Sequence, residues 1–187
     1  MTPDPALRTR TIALVGLMGV GKSSIGRRLS AVLDLPFHDA DDEIEKAAGR
    51  SIAEIFAERG ETEFRDGERR VIARLLDEAP HVLATGGGAF MNPETRRLIK
   101  QKAISVWLKA DIEILARRVA RKDHRPLLRG KDAKAVLSEL AEARYPAYAE
   151  ADLTVEIGDA PHQVGLDAVL AALSAHAGVA GEKAAAS

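Results

Sequence analysis

Short apolar runs alternate along the chain with segments in which apolar residues recur at helical spacing. Five runs have the length and apolar content of buried strands, at residues 11–15, 35–38, 81–85, 103–109 and 153–156. Ile25, Leu29 and Leu33 show the helical spacing after the first run. This alternation predicts a three-layer α/β/α fold in which helices cover both faces of a five-stranded parallel sheet.

The two ends of the chain differ in character from the segment between them. We expect a loose polar leader at residues 1–10, a single domain at 11–175 and a frayed Ala/Gly-rich tail at 176–187. A chain of 187 residues, of which 46% are hydrophobic and 29% charged, is large enough to bury a substantial core. The composition therefore predicts one globular domain.

Charge and cysteine content exclude several classes of function. The formal net charge of -1 provides no overall field for nucleic acid or an anionic membrane, and no apolar run approaches membrane-spanning length. Without cysteine, the chain has neither disulfides nor cysteine-ligated zinc. The histidines have no metal-ligand spacing and are interpreted as incidental: His38, His81, His124, His162 and His176. We expect a cytoplasmic, monomeric protein that binds neither nucleic acid nor membrane.

The segment after the first strand, at residues 16–23, has the phosphate-binding pattern G-x-x-x-x-G-K-[ST]. A strand precedes it and a helix follows, which is the order that this motif requires. Lys22 would bind the β- and γ-phosphates of ATP, and the Ser23 hydroxyl would bind Mg²⁺. A glycine-rich turn would explain the glycines, but not Lys22 and Ser23 directly behind them. The ATP contacts predicted from this segment are Gly19, Val20, Gly21, Lys22, Ser23 and Ser24.

Two carboxylates follow the second strand. Asp39 and Asp41 are two positions apart, so both side chains could face the crevice at the carboxyl edge of the sheet, where open α/β sheets bind ligands. Aspartate before a helix is also a common N-cap, and we assign that role to Asp41 or Asp42. Because no acidic residue ends the third strand, Asp39 is the candidate for a water-mediated contact to Mg²⁺.

Helix signals lie on both sides of Gly60. Ser51 and Glu54 form a capping-box pattern for a helix at 51–59, and a longer helix is predicted at 61–78. Gly67 is a misfit in the longer helix, since glycine costs about 1 kcal/mol relative to alanine in a helix interior. From their spacing alone, the arginines of this helix are interpreted as a solvated face: Arg65, Arg69, Arg70 and Arg74.

Two further loops carry residues that are unusual in simple connections. Gly86, Gly87 and Gly88 follow the third strand, where they either let the backbone approach a ligand or form a mobile turn. Residues 121–131 are basic, contain Pro126 and lie between two predicted helices. We expect this second loop to be a mobile active-site lid.

Seven segments together resemble the shikimate kinase family, and the resemblance extends from about Thr11 to Leu173. They are GLMGVGKSS (16–24), DADDEIE (39–45), GRSIAEIF (49–56), GETEFR (60–65), TGGGA (85–89), RPLL (125–128) and RYPAY (144–148). Their common order and spacing are highly specific. The resemblance implies a P-loop kinase fold and Mg²⁺-dependent phosphorylation of shikimate by ATP to shikimate 3-phosphate, a step of aromatic amino-acid (chorismate) biosynthesis.

The resemblance also implies roles for individual residues of the acceptor site. Asp41 would bind the hydroxyls of shikimate and is the usual candidate base, while Asp39 would support Mg²⁺ through water. Two arginines, Arg65 and Arg144, would bind the substrate carboxylate. The triple glycine, Gly86, Gly87 and Gly88, would line the pocket.

On the nucleotide side, the resemblance implies contacts at both the phosphates and the base. Arg125 of the lid would bridge towards the transferring phosphate, so that Lys22, Asp41 and Arg125 are the expected catalytic residues. Arg118 would pack on one side of the adenine and Pro161 on the other.

The chain departs from the family pattern at two places, and two other functions fit part of its sequence. Asp66-Gly67 stands where bulkier or basic residues are more common, and 159–161 lacks a basic residue that some members place near adenine. A gluconate-like kinase of the same fold and a non-catalytic nucleotide-binding protein are the alternatives. A GTPase is excluded, because Asn92 is the only asparagine and Pro93 follows it, so that the base-reading Asn-Lys-x-Asp motif is missing.

Overall fold

The computed structural model describes residues 5–121 and 132–185, which form a parallel sheet with helices on both faces. Its strands are β1 (Thr11–Val15), β2 (Phe37–Asp39), β3 (Val82–Ala84), β4 (Ala103–Lys109) and β5 (Leu153–Glu156), in the spatial order β2-β3-β1-β4-β5. The α-helices in the described ranges are α1 (Lys22–Leu33), α2 (Ala40–Ala48), α3 (Ile52–Leu75), α4 (Pro93–Lys102), α5 (Ile112–Ala120), α6 (Ala133–Tyr148) and α7 (His162–Ala185). The predicted three-layer α/β/α fold is confirmed.

The register of the central strands determines where the functional loops meet. All five residues of β1 are buried, as expected for an apolar strand that is covered on both faces. Leu14 of β1 pairs with Ala84 of β3, and Ala84 pairs with Asp39 of β2. These three strands therefore end at the same level. The phosphate-binding loop, the carboxylates after β2 and the triple glycine after β3 consequently share one edge of the sheet.

Several element boundaries differ from the predicted ones. The second strand begins at Phe37 rather than at residue 35, and Pro36, which has no N–H group to donate, lies just before it. The predicted break between the helices at 51–59 and 61–78 is confirmed, since the backbone of Gly60 is non-helical (φ 79°, ψ 177°) and divides α3 into two helical segments. The second segment ends at Leu75 rather than at residue 78. The capping box of Ser51 and Glu54 is confirmed, with both reciprocal hydrogen bonds present.

The described parts of the leader and tail differ from the expectation. Residues Pro5–Arg8 form a 3-10 turn that buries Leu7, which is 1% exposed. Helix α7 continues to Ala185, because the alanine-rich tail favours a helix. Residues 1–4 and, apart from Arg121, the predicted lid lie outside the described residues. None of the described helices combines the length and the apolar character needed to cross a membrane.

Candidate active site

The phosphate-binding loop lies between β1 and α1, in the predicted strand–loop–helix order. Gly21 occupies the N-cap position of α1 with φ 100°, a left-handed conformation that favours glycine. The Lys22 ammonium group donates hydrogen bonds to the carbonyl oxygens of Gly16 (2.7 Å) and Leu17 (3.0 Å). A positive charge and the N-terminal amides of α1 thus lie side by side, which is the arrangement that binds phosphate.

A short hydrogen bond links this loop to the end of β2. The Ser23 hydroxyl donates to Asp39 Oδ2 over 2.6 Å, and Asp39 Oδ1 accepts from the Asp41 backbone N–H over 3.1 Å. Asp39 is therefore the N-cap of α2, and the assignment of that role to Asp41 or Asp42 was wrong. Asp39 ends the strand in extended backbone (φ -100°, ψ 121°), from which its side chain reaches the amide two residues on.

A crevice of about 480 Å³ at this edge of the sheet brings most of the predicted residues together. The predicted residues that line it are Gly19, Gly21, Lys22, Ser23, Ser24, Asp39, Asp41, Gly86, Gly87, Arg118 and Pro161. Val20 is fully buried behind the loop and does not line the crevice. Asp39 and Asp41 both face the crevice, as their spacing predicts.

Arg118 links the phosphate-binding loop to the segment that follows β5. Its guanidinium donates to the carbonyl oxygens of Gly158 (2.8 Å) and Val20 (3.5 Å). Beside it, His162 lines the crevice, and a Cβ placed on Gly21 would lie 3.5 Å from His162 Nδ1. His162 thus lies at the crevice, and its interpretation as incidental stays a prediction. A lone histidine carries no spacing signal, so the sequence could not reveal this position.

The triple glycine lets three charged side chains approach the backbone. A Cβ on Gly86 would lie 2.7 Å from a carboxylate oxygen of Glu68, and one on Gly87 would lie 3.0 Å from Arg144 Nη1. On Gly88 it would lie 2.5 Å from the guanidinium of Arg65. Any side chain at these positions would displace those groups. These glycines therefore allow close approach of the protein's own charged side chains, while the approach of a ligand stays a prediction.

Glu68 is a buried carboxylate that the sequence analysis missed. Its residue is 2% exposed, and Oε2 accepts a hydrogen bond from Arg65 Nη1 over 2.7 Å. Within the described part of the chain, Oε1 is buried without a hydrogen-bond partner. Burial raises the pKa of Glu68, while the charges of Arg65 and Arg144 act in the opposite direction. Arg65, itself only 29% exposed at its side chain, is thus part of a buried ion pair rather than a solvated face.

Tyr148 contacts the triple-glycine loop through a hydrogen bond. Its hydroxyl donates to the Gly87 carbonyl, and its ring is fully buried against Trp107, at 5.7 Å between ring centroids. Burial raises the pKa of Tyr148 to about 12, so the hydroxyl keeps its proton at neutral pH. The positive charge of Arg144, four residues earlier on α6, acts on this pKa in the opposite direction. Arg125, the third expected catalytic residue, lies outside the described residues.

Comparisons with known proteins point to a single family. A sequence model of the family "Shikimate kinase" matches residues 18–174. The chain is 74% identical over 172 residues to a shikimate kinase of Caulobacter vibrioides. That alignment covers 91% of this chain and 86% of the Caulobacter protein. It is 56% identical over 180 residues to a shikimate kinase of Bradyrhizobium diazoefficiens, in an alignment that covers 96% of this chain and 86% of the Bradyrhizobium protein.

A solved structure has the same architecture. The shikimate kinase from Acinetobacter baumannii, in complex with shikimate, superposes with a TM-score of 0.84 at 37% sequence identity. The match covers 88% of this chain and 93% of that one.

Proposed function

Since the chain belongs to the shikimate kinase family, we propose that it transfers the γ-phosphoryl group of ATP to a hydroxyl of shikimate within the crevice described above. One observation carries this proposal. The crevice is lined at once by Lys22 and Ser23 of the phosphate-binding loop and by Asp41, Gly86 and Gly87. A phosphate site and a separate acceptor site thus adjoin without an intervening wall.

On the donor side, Lys22 and the amides of the loop would hold the β- and γ-phosphates. The Ser23 hydroxyl and the Asp39 carboxylate converge at 2.6 Å, and oxygen donors of this kind suit Mg²⁺. Ser23 would bind the ion directly and Asp39 through water. When bound, Mg²⁺ would neutralise phosphate charge. Arg118 and Pro161 would lie on the two sides of the adenine, a placement that their position in the crevice supports.

On the acceptor side, Arg65 and Arg144 would bind the single carboxylate of shikimate. Both guanidiniums lie against the triple glycine, and a planar guanidinium matches a carboxylate in a two-pronged geometry. Glu68 would hold Arg65 in place, and Tyr148 would hold the Gly87 carbonyl. This arrangement fixes the acceptor ring by its charged end.

The reaction then requires one proton transfer and one phosphoryl transfer. Asp41 would accept the proton of the reacting hydroxyl, whose oxygen forms a bond to the γ-phosphorus while the bond to the bridging oxygen of ADP breaks. Such a transfer depends mainly on positioning and charge neutralisation, which Lys22 and the loop amides would supply.

Turnover with a panel of acceptors tests the proposal. ADP release from Mg-ATP should be fast with shikimate and slow with quinate, with gluconate and without an acceptor. Faster turnover of gluconate would favour the gluconate-like alternative. ATP binding without any acceptor-dependent ADP release would favour a non-catalytic nucleotide-binding protein.

A further inference from the structure

A second concave surface, which shares no lining residue with the crevice, lies between α2 and α3. We call it the α2–α3 groove, and its volume is about 410 Å³. Its floor is apolar and is formed by Ile44 of α2 and by Ile55, Phe64 and Val71 of α3, none of which is more than 9% exposed. This volume and this floor are typical of sites that bind small molecules.

The depth of the groove depends on Gly67, in the middle of α3. A Cβ on Gly67 would have no heavy atom within 4 Å, and Gly67 is not among the glycines with positive φ. Neither crowding nor backbone conformation therefore requires glycine here, although glycine destabilises a helix interior relative to alanine. The missing side chain leaves open the space at the floor of the groove.

The rim of the groove carries more positive than negative charge. Four guanidinium groups line it, from Arg50, Arg59, Arg70 and Arg74, whereas Glu63 is the single lining carboxylate among the described residues. Glu63 pairs with Arg59, and the carboxylates that pair with the other three arginines lie outside the lining. Arg70 is loosely paired, since its Nε lies 3.7 Å from Asp66 Oδ2 and its side chain is 67% exposed.

We propose that the α2–α3 groove binds a small amphipathic organic anion, namely an aromatic ring that bears one carboxylate. The ring would lie on the apolar floor beside Gly67, and the carboxylate would pair with Arg70 at the rim. Guanidinium groups bind carboxylates through charge-assisted, often two-pronged hydrogen bonds. An inorganic anion would use only the rim, and a neutral apolar molecule only the floor, so neither fits the combination.

A ligand in this groove would contact both helices that carry acceptor residues. Asp41 lies in the first turn of α2, and Arg65 lies on another face of α3. Occupancy of the groove would bias the relative position of these helices and hence the affinity for the acceptor, with an equal effect in the reverse direction. This coupling, unlike the binding itself, rests on the proposed function.

Calorimetric titration with 1-naphthoate tests the binding in the full chain, with shikimate and Mg-ADP present at saturating concentrations so that the crevice is occupied. We expect one saturable site in the wild type. Arg70→Gln should weaken binding by roughly tenfold or more, since it removes a charge-assisted partner. Gly67→Leu should have a similar effect, because its side chain fills the floor. The neutral analogue 1-naphthalenemethanol should bind much more weakly than the carboxylate.

Two matched variants serve as controls. Gly178→Leu makes the same change on α7, at another glycine with no heavy atom within 4 Å of its Cβ position. Arg27→Gln removes an arginine that is 63% exposed and also paired with an aspartate at 3.7 Å. Both should leave naphthoate affinity unchanged. Absence of saturable binding, or equal affinity in the wild type, Gly67→Leu and Arg70→Gln, overturns the proposal. Because the titration reads binding and not turnover, it can fail while the proposed function holds.

Discussion

The Ser23 hydroxyl lies 2.6 Å from Asp39 Oδ2, and this contact joins the phosphate-binding loop to the carboxyl end of β2. The two residues are 16 positions apart in the sequence and meet because β1, β3 and β2 end at the same level in the sheet. Asp39 also caps α2, so one carboxylate fixes both the Ser23 hydroxyl and the start of the helix that carries Asp41. One residue thereby links the phosphate-binding loop to the helix that carries Asp41.

Asp39→Asn should raise the Mg²⁺ concentration needed for half-maximal activity by roughly tenfold to a hundredfold, the usual effect of losing a residue that orients a metal ligand. Asparagine can still cap the helix through its side-chain oxygen, so the fold should persist. The measurement is ADP release across a series of Mg²⁺ concentrations. Asp42→Asn, at an exposed neighbour, should leave the Mg²⁺ dependence unchanged. An unchanged dependence in Asp39→Asn would remove this residue from the metal site.

Lys22→Met should lower kcat by about a hundredfold or more, since it removes a positioned positive charge at the transferring phosphate. The fold should be retained, but the melting temperature should fall, because the carbonyl oxygens of the buried residues Gly16 and Leu17 lose the hydrogen bonds that Lys22 donates to them. Steady-state turnover and thermal unfolding test both parts. Activity within tenfold of the wild type would exclude the phosphate-loop assignment.

Glu68→Gln should raise the KM for shikimate more than the KM for ATP, because it removes the negative charge that holds Arg65.

Burial raises the pKa of Glu68 above its ordinary value of 4.5. The folded state therefore holds this proton more tightly than the unfolded state does. The free energy of unfolding consequently decreases as the pH rises from about 4.5 through the higher folded-state pKa, and below pH 4.5 this loss is absent. The wild type should lose stability relative to Glu68→Gln across this window. If the melting temperatures of the wild type and Glu68→Gln changed in parallel between pH 4 and 8, the raised pKa of Glu68 would be contradicted.

The buried His81 predicts a loss of stability at mildly acidic pH. It is 1% exposed, and burial lowers its pKa below the ordinary value of 6.5. The folded state therefore favours the neutral form of the His81 imidazole. The stability that this preference contributes is complete above pH 6.5 and is lost as the pH falls towards the folded-state pKa. His81→Gln should flatten the dependence of the melting temperature on pH between 7.5 and 5.5. A slope equal to that of the wild type would show that other groups cause the acid sensitivity.

The sequence predicted those features that depend on local pattern. The strand at 11–15 and the loop behind it follow from an apolar run and a spaced motif, and the structure confirms both. The N-cap of α2 was misassigned because the choice among Asp39, Asp41 and Asp42 depends on where β2 ends. That end is set by pairing with β3, in which Ala84 lies opposite Asp39 and 45 residues further along the chain.

Glu68 and His162 could not be recognised for a related reason. Each lies beside a segment that is distant in sequence: Glu68 beside Gly86, and His162 beside Gly21 of the phosphate-binding loop. A single glutamate in an arginine-rich helix has the same pattern whether it is solvated or buried. Burial is decided by the packing of α3 against α2, α4 and the loop after β3, which periodicity alone does not specify.

The placement of the acceptor pocket is tested most directly by isothermal titration of Arg144→Ala with shikimate and, separately, with a non-hydrolysable ATP analogue. Removing one charge-assisted partner of the carboxylate should cost about 1.5–3 kcal/mol, or roughly tenfold to a hundredfold in shikimate affinity. Arg144→Lys should restore little of this loss, because an ammonium group lacks the two-pronged geometry. Nucleotide affinity should remain near that of the wild type, since phosphate binding depends on Lys22 and the loop. Weakened nucleotide binding with unchanged shikimate affinity would contradict the proposed pocket.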